Sequence, residues 1–283
     1  MKRTLLLLAV ALVVPAVAHA TTATATAQAE LQADAAYQRG DYQQALADFR
    51  QLAAQGYAGA EYSLGFIYAQ GLGVPQDYAE ALKWSRLAAA QGNAGAEYNL
   101  GVMYAKGLGV PQNYAEALKW SRLAAAQGDA AAENNLAGMY AKGQGVPQNY
   151  AEALKWSRLA AAQGDAAAEN NLGLVYEDGQ GATQNYAEAL KWYRLAAAQG
   201  YADAENNLAG MYAKGLGVPQ DYVAAYKWGL IAKATMLATS RDYAKVSNNV
   251  KQLPATMTSA QIALAKQEAS AWYAAHEHAG YLP

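Results

Sequence analysis

Residues able to do chemistry are scarce in this chain, and their spacing argues against a catalytic centre. There is no cysteine, so thiol nucleophiles and disulfides are excluded and no lipid-modified cysteine is expected. His276 and His278 flank Glu277 near the end of the sequence. On a helix such a pair points its rings roughly 200° apart, poorly placed for one metal ion. None of Ser63, Ser85, Ser121, Ser157, Ser240, Ser247, Ser259 or Ser270 is followed three residues later by lysine. The Ser-x-x-Lys pair of penicillin-recognising enzymes is therefore missing. Gly-Leu-Gly triplets precede Val-Pro rather than Lys-Ser or Lys-Thr, which reads as helix stops and not as a phosphate loop. The carboxylates recur by period: Glu61, Glu97, Glu133, Glu169 and Glu205 form one set, and Glu80, Glu116, Glu152 and Glu188 another. A side chain copied into every unit reads as structural. Arg86, Arg122, Arg158 and Arg194 recur too, as candidates for inter-repeat ion pairs worth little each if exposed. No catalytic residue, cofactor or metal is expected, and the chain is not expected to be an enzyme.

The period itself is the dominant feature. One unit is written five times, at 57–92, 93–128, 129–164, 165–200 and 201–236, a spacing of 36 residues. A period in this range marks a repeat architecture. In the second copy Ala96, Leu100, Met103 and Tyr104 form an apolar stripe of helical period over roughly Ala94–Lys106, helix A. Gly107 and Gly109 end it, and Val110-Pro111 forbids continuation. Helix B begins at the cap Asn113, with Glu116 three residues on as a capping box. Ala115, Leu118, Leu123 and Ala124 run along it, and Gly128 closes it. Gly or Ala recurs in mid-helix A (Gly65, Gly101, Ala137, Gly173, Ala209), which implies close approach of a neighbour. One hairpin cannot bury its own apolar face, so the units must stack, each covering the next. The fold class that follows is all-α: a solenoid of stacked antiparallel helix pairs.

These residues resemble the Sel1-like repeat (SLR) family, relatives of the tetratricopeptide repeats. Ala94, Ala96, Leu100, Gly101, Tyr104, Gly109, Val110, Pro111, Tyr114, Ala117, Trp120, Ala124, Ala125 and Gly128 match its pattern. The match runs in register over residues 57–236. It implies a right-handed superhelix, and an adaptor that binds other proteins along a concave face lined by the A helices. In bacteria many such proteins belong to the cell envelope. Some cysteine-rich relatives are linked to penicillin binding or β-lactamase activity; this chain lacks those cysteines.

The flanks complete the organisation. Lys2 and Arg3, the apolar run Leu5–Val14 and Ala18-His19-Ala20 read as a secretory signal peptide, residues 1–20, cleaved after Ala20. The destination would be periplasmic or secreted. Residues 21–29 are low in complexity and expected to be disordered once the leader is cleaved. Residues 30–56 read as an N-terminal tetratricopeptide-like capping pair with a turn at Arg39-Gly40-Asp41. Residues 237–283 read as C-terminal capping helices and a tail. Thr258 with Gln261 forms a capping box there, and Ile262, Ala265, Ala269 and Trp272 form the stripe. The fifth copy has Ala224 and Leu230 where others carry acid and arginine, so its helix B is expected to face something new. With a net charge of −2 and no basic patch, nucleic acid is not an expected partner.

Binding has to use positions that vary between copies. The sixth position of each unit gives Tyr62, Tyr98, Asn134, Asn170 and Asn206; the seventh gives Ser63, Asn99, Asn135, Asn171 and Asn207; the tenth includes Phe66. These positions share one face of helix A. Asn is a poor mid-helix residue, so its recurrence needs a reason. Either the amides clamp an extended peptide, having both donors and acceptors, or the seventh-position Asn bonds the adjacent repeat's loop. The partner-binding groove is thus assigned to Tyr62, Phe66, Tyr98, Asn99, Asn134, Asn135, Asn170, Asn171, Asn206 and Asn207. The function expected is an exported protein–protein interaction scaffold of the bacterial envelope. The alternative is a glycan or peptidoglycan binder using Tyr62, Tyr98 and Phe66 as stacking platforms; a β-lactamase or penicillin-binding enzyme ranks below both.

Overall fold

The computed structural model describes residues 14–236, 240 and 243–276, with side chains from residue 26 onward. The proposed leader's residues 1–13, and the tail from residue 277 with His278, lie outside the described residues. The chain divides into two compact units, Met1–Gln127 and Gly128–Pro283.

The first unit contains α1 (Val14–Gln38), α2 (Tyr42–Ala53), α3 (Ala58–Gln70), α4 (Tyr78–Ala90), α5 (Ala94–Lys106) and α6 (Tyr114–Ala126). The second contains α7 (Ala130–Lys142), α8 (Tyr150–Ala162), α9 (Ala166–Asp178), α10 (Tyr186–Ala198), α11 (Ala202–Lys214), α12 (Tyr222–Thr235), α13 (Tyr243–Gln252) and α14 (Ser259–His276), with a 3₁₀ turn at Leu253–Thr256. No strand occurs among the described residues, and no helix there is long and apolar enough to cross a membrane. Within each unit, helices pair as antiparallel hairpins and each hairpin leans on the next. In the full chain the segment 21–29 is part of α1, where the sequence suggests disorder.

Local signals explain where helices stop. Gly107 adopts φ 71°, the left-handed cap, and its N–H bonds the Met103 carbonyl. Asn113 caps α6 by accepting from the N–H groups of Ala115 and Glu116. The expected reciprocal half of that box is not made. The Asn113 N–H already donates to the Tyr104 carbonyl oxygen at 2.9 Å, so Glu116 turns to Lys119 instead, at 3.6 Å. Thr258 and Gln261 do form both halves, at 2.9 and 3.3 Å.

Within each unit, the second glycine of a turn joins neighbouring hairpins, as Gly73, Gly109, Gly181 and Gly217 do. A Cβ on Gly217 would lie 2.7 Å from the Tyr186 carbonyl carbon and oxygen, and its φ is +69°. Gly164 has φ +82° with nothing within 4 Å of such a Cβ. Gly164→Ala should therefore cost only its backbone strain, ~1 kcal/mol. Gly217→Ala should cost at least about 2 kcal/mol more, because backbone atoms cannot give way. Thermal melts of the two variants check the order.

Two expectations about helix B are corrected. Leu123 is not core: it is 42 % exposed, and Leu87, Leu159 and Leu195 match it. The buried stripe is Ala117, Leu118, Ser121, Ala124 and Ala125, at i, i+1, i+4, i+7 and i+8. Arg86, Arg158 and Arg194 pair with tyrosine rather than glutamate among the described residues. Arg86 donates to the Tyr104 hydroxyl, Arg158 to Tyr176 and Arg194 to Tyr212, each tying a hairpin to the next copy. The cap glutamates meet lysines in their own helix, as Glu80 meets Lys83.

Candidate functional site

The periodic carboxylates sit inside the stack. Glu61, Glu97, Glu133, Glu169 and Glu205 are all buried. Four of them accept a hydrogen bond from the last glutamine of their own copy: Gln91, Gln127, Gln163 and Gln199, at 2.7 to 2.9 Å. Burial raises the Glu61, Glu133 and Glu169 carboxyls above the usual range, and the amide bond works the other way. Glu205 is the exception. Thr235 stands at the glutamine's place, close to the carboxyl, but its hydroxyl donates to the Ile231 carbonyl. Both Glu205 oxygens are left unpaired, and burial pushes the group up to about 7.

The amide positions also find partners. Asn171 donates to the Asn134 side chain at 2.8 Å, and Asn207 to that of Asn170 at 3.0 Å. A seventh-position amide thus meets the sixth-position amide of the preceding copy, helix A to helix A. Asn170 is buried beneath this ladder. Asn99 and Asn135 are half-buried on α5 and α7, and Tyr98 is half-buried on α5. His276 stacks on Trp272, with ring centroids 4.1 Å apart, and no metal-binding cluster occurs among the described residues.

Each unit has a cleft on the side of its A helices. In the second unit it measures about 510 Å³ and involves Asn206, Asn207 and Gly210 of α11 with Leu174, Glu177 and Asp178 of α9. The opposite wall is α13, through Lys245, Val246, Asn249 and Val250. The fourth copy is rebuilt around it. Tyr193 replaces the serine found at Ser85, Ser121 and Ser157; it is fully buried and its hydroxyl donates to Glu177 at 2.7 Å. Lys214 lines the same space. Sequence reasoning reached Asn206 and Asn207 but missed the α13 wall, Tyr193 and Glu177. The signal was Glu177-Asp178, where the second, third and fifth copies have Ala-Lys and the first has Ala69-Gln70.

In the first unit a smaller cleft, about 250 Å³, is lined by Tyr62, Ser63 and Phe66 of α3, Asp34 and Tyr37 of α1, and Phe49 of α2. The Tyr62 ring lies over Gly95, where a Cβ would come within 2.8 Å of it. Tyr62 and Phe66 are thus brought together, while Tyr98 stands apart from them on α5.

Tandem helical hairpins of 36 residues define a repeat protein of the all-α solenoid class. The Sel1 repeat model matches residues 58–93, 94–129, 130–165, 166–201 and 202–233, and the chain belongs to the Sel1 repeat family. It is similar to a Sel1 repeat protein from Oxalobacter formigenes, at 32 % identity over 80 % of this chain and 96 % of that one, TM-score 0.67. It is also similar to a protective antigen of uropathogenic Escherichia coli strains displaying an SLR fold, at 37 % identity over 75 % of this chain, TM-score 0.61. The chain spans about half, 49 %, of that antigen. An immunity protein from Pseudomonas aeruginosa shares the fold at 21 % identity, over 79 % of this chain and 88 % of that one, TM-score 0.53. The curated proteins offer no match. Sel1 repeats generally mediate protein–protein interaction and are typically a non-enzymatic scaffold.

Proposed function

We propose that this chain is an exported adaptor of the bacterial envelope, which binds an exposed segment of a partner protein along its A-helix faces. The observation that carries the reading is the second unit's cleft, where two A helices meet α13. It offers what an extended peptide needs: an apolar floor at Leu174, Val246 and Val250, and amides at Asn206 and Asn249 to satisfy backbone groups. Export rests on the N-terminal basic pair, apolar run and Ala-His-Ala site.

Gly210 supplies the test. It lines the cleft, and a Cβ there meets nothing within 4 Å. Gly210→Tyr should fill the cleft without disturbing the stack, since leaving glycine in a helix gains roughly 0.5–1 kcal/mol. Peptides selected from a random library on the purified protein should lose roughly tenfold or more in affinity for the variant, with no fall in melting temperature. Selected peptides that bind both forms equally would place recognition elsewhere. Binding of purified cell-wall sacculi, with no peptide selected, would replace this reading with the glycan one.

A further inference from the structure

The first unit's cleft differs in chemistry from the second's. Three aromatic rings meet there, Tyr37, Tyr62 and Phe66, over the buried Phe49. Tyr37 and Phe66 stand edge to face, centroids 6.5 Å apart at 71°. Their arrangement is supported from outside: Tyr37 also contacts Tyr42 at 5.6 Å, and Tyr62 rests on the bare backbone of Gly95. One charged side chain joins the rings, Asp34, which is exposed and has no hydrogen-bond or ion-pair partner among the described residues. No lysine or arginine lines the cleft. Elsewhere the protein pairs its own cations with rings: Lys83 lies 5.0 Å from the Trp84 ring centre, and Arg50 lies 6.0 Å from that of Tyr68.

From these rings and the unpaired carboxylate we infer that the first unit's cleft is a cation cage, which receives a lysine or arginine side chain of a bound partner segment. Ring faces carry negative potential and attract a cation within about 6 Å of the centroid. The alkyl stem would cover Phe49 and Phe66 while the charged head meets Asp34. A purely apolar occupant would leave the carboxylate unused; an acidic one would be repelled by it. The inference rests on the peptide-binding reading but is tested apart from it, since Gly210→Tyr reports on the other cleft.

The probes are acetyl-lysine-methylamide, its arginine counterpart and its norleucine counterpart, each titrated into the purified protein. Binding is followed through the ring signals of ¹³C-labelled tyrosine and phenylalanine. The cationic probes should shift the Tyr37 and Phe66 signals saturably, at weak affinity, while norleucine does not. Asp34→Asn and Phe66→Leu should each weaken the lysine probe roughly fivefold or more, as should moderate salt. Asp34→Asn changes an exposed side chain, so its effect does not depend on folding. Equal binding of norleucine would reduce the cleft to an apolar pocket and overturn the inference. So would silence towards every probe, or the same ring signals moving with a dimer of N-acetylglucosamine instead.

Discussion

Glu205→Gln is expected to stabilise the protein at pH 8 and to leave it nearly unchanged at pH 5. Glu205 is fully buried, with neither oxygen paired, and its folded-state pKa lies near 7 against an ordinary 4.5. Burial is the largest cause: the charged carboxylate loses its hydration, and the nearby Thr235 hydroxyl offsets only part of that loss. The folded form therefore holds its proton more tightly than the unfolded form does. The stability tied to that proton is complete below about pH 4.5 and is lost as pH rises to about 7, beyond which the loss is constant. A shift of this size corresponds to on the order of 3 kcal/mol. For a domain of this length that is roughly 6–12 °C in melting temperature. Gln has the shape of the protonated acid and cannot ionise, so the variant's melting temperature should lack this fall between pH 5 and 8. The groups facing Glu205 do not reverse the sign. Thr235 on α12 donates elsewhere. On α14, the Tyr273 hydroxyl bonds the Ile231 carbonyl at 2.8 Å, and its own pKa is pushed up to about 12 by burial and then by the Glu205 charge. Parallel pH profiles for wild type and variant would show this carboxyl already satisfied.

That carboxyl also shows where sequence reading ran out. The period marked Glu205 as one of five structural copies, which holds for its burial. Its isolation depends on Thr235 replacing a glutamine and on α14 closing over α12 through Tyr273, and the second of these has no sequence period. The helix boundaries were legible because their causes are local: a left-handed glycine, a Val-Pro stop and an Asn or Asp cap recur in nearly every copy. Leu123 was misassigned because bulk outweighed phase. It lies five residues from Leu118, about 140° around the helix, and outside the buried stripe of Ala117, Leu118, Ser121, Ala124 and Ala125. The Arg–Tyr ties and the Asn ladder join residues 18 and 37 positions apart, so they appear only once the hairpins are stacked. Tyr62 and Phe66 were found from variability alone. Asp34 was not, because its helix enters from outside the repeat.

The fourth copy makes a sharper test of packing. Gly173 faces Tyr193, and a Cβ there would lie 2.4 Å from the ring. The ring cannot retreat: it is fully buried and its hydroxyl is held by Glu177 at 2.7 Å. Overpacking of this kind costs up to about 3 kcal/mol, against a gain of about 1 kcal/mol from replacing helical glycine. Gly173→Ala should therefore lose about 2 kcal/mol, roughly 4–8 °C. The same change at Gly101 meets the Ser121 hydroxyl at 2.7 Å and backbone atoms of Ala117 and Ser121 at 3.4 Å, with no ring in the way. The third copy already carries Ala137 with Ser157 at the matching positions, so Gly101→Ala should be neutral or mildly stabilising. Tyr193→Ser alone should be costly, since it empties a large buried volume. In that background, however, Gly173→Ala recreates the third copy's pair and fills part of the space. Its sign should reverse, giving a coupling of about 3 kcal/mol in the double-mutant cycle. Additive effects would mean that the ring and the glycine are not in register, and that Glu177 is not held at the cleft by Tyr193.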